Sequence, residues 1–286
     1  MVLLNNSMIC IDYSQVSISN LMQQITKVEL NEDLLRHMVL NSLRAYNQKF
    51  SRQYGQMVLC CDNKHYWRKS YFAGYKFKRK RDRDESGLDW HLIFDVLQKI
   101  KNEIAETFPY KVIDVPWAEA DDVIAILAKE YHSDERILIL SGDKDFQQLQ
   151  HFPNISQFSP GLKKFIICEE PELFLKEHII RGDSGDSIPN YLSPDDVFQT
   201  GARQKPIMKS KLDEWLKLPP EQFCDEVTIQ NFRRNEKLVD LSQIPAELEQ
   251  AILAEFDKPA KGDKSKILPY FVEHRMKNLL TVVQEF

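Results

Sequence analysis

Short apolar runs that end in or beside a carboxylate, separated by long amphipathic stretches, constrain this chain more than any other feature. Residues 8–12, 57–62, 110–115 and 136–140 have the length and apolar density of strands. Leu34, Leu35, Met38, Val39 and Leu43 recur at helical spacing between the first two runs. Leu92, Ile93, Val96, Leu97, Ile100 and Ile104 do so before the third, and Val123, Ile124, Leu127 and Ala128 before the fourth. This alternation predicts an α/β fold with a mostly parallel central sheet flanked by helices. After Pro171 the strand-like runs fade, and helical stretches follow, clearest at 212–218, 247–256 and 270–283. The expected organisation is an α/β domain over residues 1–182 and a smaller all-helical domain over 183–286. A Lys- and Asp-rich loop, 257–266, is expected to project from the second.

In open α/β sheets the functional crevice lies beyond the carboxyl ends of the strands, and the acids of this chain collect there. Asp12 closes the first run and Asp62 the second; Glu119, Asp121 and Asp122 open the helix after the third, and Asp143 and Asp145 follow the fourth. Singly, each reads as a turn residue or a helix cap. Together they do not, because carboxylates crowded at one sheet edge raise one another's pKa unless a cation neutralises them. An all-oxygen donor set suits a hard divalent ion, Mg²⁺ first and Mn²⁺ second. Zinc is disfavoured, since Cys10, Cys60, Cys61, Cys168 and Cys224 form no CxxC pair and no His cluster is visible. Glu119 and Asp122 share a helix face, whereas Asp121 and Asp122 diverge by about 100°. One of that adjacent pair therefore stands back from the ion, and Asp122 is the weaker ligand. A further acidic pair, Asp183 and Asp186, lies in a glycine-rich loop that can bend both carboxylates together.

With a net charge of −5 at pH 7, the chain cannot coat nucleic acid by bulk charge, so any polyanion site is local. One such site is evident: residues 64–83 read KHYWRKSYFAGYKFKRKRDR. Basic side chains neutralise phosphates and aromatic faces stack bases, a combination that suits single strands. The stretch begins two residues after Asp62 and is placed directly above the acidic pocket. No run approaches the roughly 18 apolar residues of a membrane span, and the N-terminus lacks the pattern of a signal peptide. The odd cysteine count reads as buried thiols, so the expected setting is a reducing cytoplasm, that of the host cell if the chain is phage-encoded.

These residues together resemble the 5′-nuclease family of flap endonucleases, bacterial polymerase 5′-nuclease domains and phage 5′-exonucleases, and within it most the ribonuclease H branch of T-even phages. The resemblance rests on Ile11-Asp12-Tyr13-Ser14, Cys61-Asp62-Asn63, Tyr66-Trp67-Arg68, Tyr75-Lys76, Ala118-Glu119-Ala120-Asp121-Asp122, Ser141-Gly142-Asp143-Lys144-Asp145-Phe146, and Gly182-Asp183 with Asp186. It implies a PIN-like core in which Asp12, Asp62, Glu119, Asp121 and Asp143 surround one Mg²⁺, while Asp145, Asp183 and Asp186 serve a second. It further implies that Lys76 and Arg68 are the active-site cations, within an arch or bridge over residues 64–87. Lys69, Tyr75, Lys78, Arg79, Lys80, Arg203 and Lys205 would bind nucleic acid, and the second domain would be a helix-turn-helix variant that grips duplex. Ser184, Ser187 and Asn190 replace the Lys, Asn and final Gly common in the family's acidic loop, and the Gly-x-Gly hairpin that often follows it is missing.

The implied activity is 5′→3′ hydrolysis of RNA·DNA hybrids and of duplex DNA with 5′ ends or flaps, as in RNA-primer removal during replication, by a monomer working beside a single-strand-binding protein and a sliding clamp. Residues 279–286, with Phe286, either dock such a partner or complete the packing of the last helix. Two other readings compete. An Asp-x-Asp phosphatase lacks its second Asp, because Tyr13 and Ser14 follow Asp12. A non-catalytic nucleic-acid clamp of the same fold would be expected to have lost several of the acids.

Overall fold

The computed structural model describes residues 7–24 and 31–286. Strands β1 (Met8–Asp12), β2 (Gln56–Cys60), β3 (Lys111–Ile113) and β4 (Ile137–Leu140) fall on the four apolar runs, and β5 (Ile155–Ser159) and β6 (Lys164–Ile166) extend the sheet. Strand order is β3-β2-β1-β4-β5-β6. The first five strands are parallel and β6 is antiparallel to β5, so the expected mostly parallel sheet is found. Chain order reverses between β1 and β4, which opens a crevice at their carboxyl ends.

Helices α1 (Tyr13–Gln24), α2 (Glu32–Tyr54), α3 (Trp67–Tyr71), α4 (Phe77–Glu85), α5 (Trp90–Thr107) and α6 (Ala120–Tyr131) run between the strands. Period-two alternation sends Ile9, Ile11, Leu59, Leu138 and Leu140 to one face, where they pack with the apolar stripes of α2 and α5. Met8, Cys10, Val58, Cys60, Ile137 and Ile139 face α6 on the other side. Helix α2 starts where Asn31 accepts a hydrogen bond from Leu34 N and stops at Gly55, whose φ of 74° only glycine adopts at little cost.

Beyond β6 the chain is helical: α7 (Pro171–Arg181), α8 (Lys209–Trp215), α9 (Pro220–Phe223), α10 (Glu226–Val239), α11 (Ala246–Phe256), α12 (Lys264–Glu273) and α13 (Lys277–Leu280). These helices serve three cores. Leu248 and Ile252 of α11 join the α6 face, while Ile267, Tyr270 and Phe271 of α12 join the α2 and α5 face. A third cluster unites Phe72 and Tyr75 of the basic stretch with Ile180, Ile188, Tyr191, Phe232 and Leu238.

Two local expectations need correction. The loop 257–266 packs down rather than projecting: a Cβ on Gly262 would come within 2.3 Å of Phe108 O, and Lys266 Nζ donates to Glu106 O at 3.1 Å. The helix expected over 270–283 is broken after Glu273, where Arg275 takes φ 53°. Of the two readings of Phe286, packing is the one found: it is buried against Phe108 and Phe271. Of the cysteines, Cys10, Cys60 and Cys61 are buried, but Cys168 and Cys224 are only partly so. Among the described residues no helix is long and apolar enough to cross a membrane.

Candidate metal centre

The carboxyl ends of β1, β2 and β4 and the start of α6 gather the acids at one sheet edge. Asp12 is the last residue of β1; its Oδ1 accepts from Gln15 N at 3.0 Å, and its Oδ2 accepts from Ser141 Oγ, beyond β4, at 3.1 Å. The loop after β2 runs beside the loop after β3, with Asn63 N donating to Ala118 O and Trp67 N to Trp117 O. That pairing brings Asp62 over the start of α6, where its Oδ1 accepts from Ala120 N at 3.0 Å. Glu119 and Asp122 form a capping box at the same helix end. Asp143 precedes a 3-10 turn (Lys144–His151) and accepts from Asp145 N at 3.0 Å.

The charges do not balance. Arg68 pairs with Glu119 and Asp122, Lys76 with Glu119, Arg79 with Asp186, and Lys144 with Asp183. Among the described residues, Asp12, Asp62, Asp121 and Asp143 have no Lys or Arg within ion-pair distance. Burial, with Asp62 and Asp143 close by, pushes the Asp12 pKa from its ordinary 3.8 up to about 7. Burial and the Asp145 charge push Asp143 to about 6. Burial, Asp143 and Asp12 also hold Asp121 well above the usual carboxylate range. Asp186 moves the other way: burial opposes its charge, but Lys76 and Arg79 overcome that and lower its pKa. Carboxylates whose pKa values are raised by burial and by one another fit a hard divalent cation, which would relieve desolvation and repulsion at once.

The residues match the N-terminal domain model of the 5′-3′ exonucleases, described as resolvase-like, over residues 21–176, and the C-terminal domain model of phage T4 ribonuclease H over 169–286. The ribonuclease H of Enterobacteria phage T4 is 32% identical over 289 residues, covering 96% of this chain and 94% of that protein. The chain belongs to the 5′-3′ exonuclease family. As a member of that nuclease family it is a phosphodiester hydrolase. A bacteriophage T5 protein co-crystallised with metal ions shares the fold at TM-score 0.59 and 17% identity, covering 87% of this chain and 98% of its own. The T5 flap endonuclease in complex with DNA and metal ions does so at 0.57 and 17%, covering 88% and 99%.

Within this 5′-nuclease fold the expected site residues divide. Asp12, Asp62, Glu119, Asp121 and Asp143 converge on the crevice, and Asp145, Asp183 and Asp186 stand beside them. Asp122 is turned away: Oδ2 accepts from Trp67 Nε1 at 3.2 Å and from Glu119 N at 2.9 Å, and Oδ1 faces Arg68 Nη1 at 2.8 Å. Arg68, expected above the pocket as an active-site cation, is instead buried, because two buried carboxylates and the Leu238 carbonyl claim its guanidinium. Tyr75, expected to touch nucleic acid, is likewise buried, and its hydroxyl donates to Glu119 and Asp186. Lys76 takes a left-handed turn of φ 56°, and its largely buried side chain pairs with Glu119, with Nζ near the Tyr66 and Tyr75 rings. Lys69, Lys80, Arg203 and Lys205 are exposed; Lys78 is partly buried over the Phe198 ring, and Arg79 is held by Asp186. Two features escaped the sequence reading. Trp117, two residues before Glu119, leaves about half its surface exposed, at 52%, as does Tyr71 of the basic aromatic run. His178 stands against Asp145 and Asp183.

A pH dependence follows for protein stripped of metal. Groups whose folded pKa is raised, here Asp12 to about 7 and Asp143 to about 6, bind protons more tightly folded than unfolded. Their stabilising effect is complete below about pH 4 and is lost as pH rises through 6 to 7. In EDTA, thermal melts should therefore show a lower midpoint at pH 8 than at pH 5.5, with millimolar Mg²⁺ narrowing the gap. A metal-free midpoint that rises across that interval would contradict the crowding of these acids.

Proposed function

We propose that this chain is a divalent-metal-dependent 5′-3′ exonuclease and ribonuclease H with flap endonuclease activity, which removes RNA primers and adjoining DNA from lagging-strand fragments during replication. The observation that carries metal dependence is the set Asp12, Asp62, Asp121 and Asp143, four carboxylates at one sheet edge without a basic partner among the described residues. The oxygen-only donors and the raised pKa values of three of them fit Mg²⁺, with Mn²⁺ as a substitute. Asp12, Asp62, Glu119, Asp121 and Asp143 would hold one ion, and Asp145, Asp183 and Asp186 would turn toward a second. Asp122 is left out, because Trp67, Arg68 and the Glu119 backbone already occupy it. Bound there, the cations would draw charge from the scissile phosphate and make a water nucleophilic at neutral pH.

The protein's own groups fix where that chemistry happens. Burial opposes charge on Lys76, but Asp186 and Glu119 outweigh it and hold its pKa above the usual 10.5. Lys76 thus keeps a fixed positive charge beside Glu119 and Asp186, available to negative charge that builds up as the phosphate is attacked. Arg68 acts by holding Glu119 in place. Lys69, Lys78, Arg79, Lys80, Arg203 and Lys205 receive backbone phosphates, and Trp117 and Tyr71 present faces to unpaired bases.

The substrates are RNA·DNA hybrids and duplex DNA with 5′ ends or flaps, and the products carry 5′-phosphates. Residues 1–182, joined by Asp183 and Asp186 from just past that boundary, perform the chemistry, and the remainder of 183–286 grips duplex. The enzyme works as a monomer in the cytoplasm, with a single-strand-binding protein and a sliding clamp as partners that dock away from the buried Phe286. Likeness to the T4 ribonuclease H over nearly the whole chain supports this assignment. The test is a gel assay on 5′-labelled RNA-primed template with Mg²⁺ or EDTA. Cleavage is expected only with Mg²⁺. Shifted but uncut substrate in both lanes would identify a binding module, and equal cleavage in both would remove the metal.

A further inference from the structure

We infer that His178 is itself a metal ligand, so that with Asp145 and Asp183 it makes a mixed nitrogen and oxygen site that favours a first-row transition ion such as Mn²⁺ over Mg²⁺. The inference rests on the metal dependence proposed above and adds a donor of different chemistry to it. His178 Nε2 lies 2.9 Å from Asp145 Oδ1 and 3.5 Å from Asp183 Oδ2, and one donor atom from each of the three residues lies within 4.8 Å of the others. Ligand atoms that share an ion at 2.0–2.1 Å stand roughly 3.0–3.4 Å apart, so the cluster already has the dimensions of a coordination edge.

The second observation concerns hydrogen bonding. His178 is 6% exposed, yet its Nε2 has no hydrogen-bond partner, and neither does the buried Asp145 Oδ1 that faces it. Two desolvated polar atoms this close would ordinarily be joined by a proton in line. A cation between them satisfies both. The neutral imidazole, with its proton on Nδ1, then directs the Nε2 lone pair to the ion.

All three donors are held by defined backbone. His178 belongs to the last turn of α7, between the helix body and the buried pair Ile179 and Ile180. Asp145 stands in the first turn of the 3-10 segment after β4. Asp183 is fixed on both sides: its N and O pair with Ile188, and its Oδ1 accepts from Gly185 N at 2.7 Å and Asp186 N at 3.2 Å, which leaves Oδ2 facing His178. Gly182, at φ 65°, makes that bend, and a Cβ there would lie 2.4 Å from Ile188 O. Lys144 Nζ, 3.0 Å from Asp183 Oδ2, is the present counter-charge; its side chain is half exposed and can withdraw to solvent when an ion enters. Oxygen-only sites suit Mg²⁺, whereas an imidazole shifts affinity toward Mn²⁺ and its heavier neighbours.

Crystals of the wild-type protein soaked in Mn²⁺ test this directly. The expected result is an anomalous peak about 2.0–2.3 Å from His178 Nε2 and in contact with Asp145 and Asp183. A peak at the two carboxylates with His178 beyond bonding distance, or no peak in this cluster, overturns the inference. Calorimetric titration gives an independent readout in solution. His178→Asn should weaken Mn²⁺ binding by at least the roughly tenfold that loss of even an outer partner costs, while Mg²⁺ binding changes much less, with melting curves verifying that the variant folds. Equal effects on both ions, or none on Mn²⁺, would also overturn it. These outcomes separate from the proposed function: Mg²⁺-dependent cleavage with no nitrogen ligand sinks this inference alone, whereas cleavage that survives EDTA removes the metal reading beneath it.

Discussion

Asp143→Asn is expected to lower cleavage by on the order of 10³ or more while leaving DNA affinity within a few fold. Asp143 lies where the two acidic groups meet: its charge raises the pKa of Asp12 and Asp121 on one side, and its own is raised by Asp145, Asp186 and Asp183 on the other. A single amide therefore weakens the hold on cations at both places. The substitution is also structurally mild, because an Asn oxygen can still accept from Asp145 N and cap the turn. Removal of one repelling charge should raise the melting point of metal-free protein slightly, so lost activity would not be lost folding. Under the proposed function DNA affinity would rest on the exposed lysines and arginines, and none of these is at ion-pair distance from Asp143. Single-turnover cleavage in saturating Mg²⁺ with fluorescence-anisotropy binding on the same substrate decides it. Turnover within tenfold of wild type would sink the ligand assignment.

The sheet and its acids were legible because each of β1 to β4 is a dense apolar run and Asp12, Asp62 and Asp143 follow such runs at once. β5 and β6 were not, since Ser156, Gln157 and Ser159 interrupt the first and Lys164 and Phe165 leave the second exposed at the edge. Linear sequence showed Arg68 and Tyr75 only as members of a basic aromatic run. Their burial depends on Glu119, Asp122, Asp186 and Leu238, which lie 44 to 170 residues away. His178 was missed for a similar reason: it is a lone histidine in a helix, and only the return of the chain at Gly182 sets it against Asp145. The roles of α11 and α12 in both sheet layers also needed tertiary structure, because an amphipathic stripe does not name the surface it covers.

The burial of Arg68 leads to the second large effect, on stability. Arg68→Met should destabilise the protein by about 3–5 kcal/mol, because removing one partner of a buried ion pair leaves the others charged without water. The Arg68 side chain is 3% exposed, Glu119 1% and Asp122 0%. Lys76 can still partner Glu119, but Arg68 is the only basic side chain at ion-pair distance from Asp122 among the described residues. Burial already holds the Asp122 pKa above its usual value, with Arg68 as the chief opposing influence. Without Arg68 the carboxyl pKa is expected to rise further, so the variant should lose stability as pH climbs through it. Methionine fills much of the space of the arginine stem, which keeps the loss mainly electrostatic. For a chain of this size the midpoint should fall by on the order of 10 °C. Asp122→Asn in the Arg68→Met background should recover part of the loss, since it removes the charge left unpaired, whereas in wild type the same change should cost stability. A double-mutant cycle from denaturant unfolding measures that coupling. Additive effects, or a single-variant loss below about 1 kcal/mol, the usual ceiling for exposed pairs, would show that Arg68 is not the support on which Glu119 and the start of α6 rest.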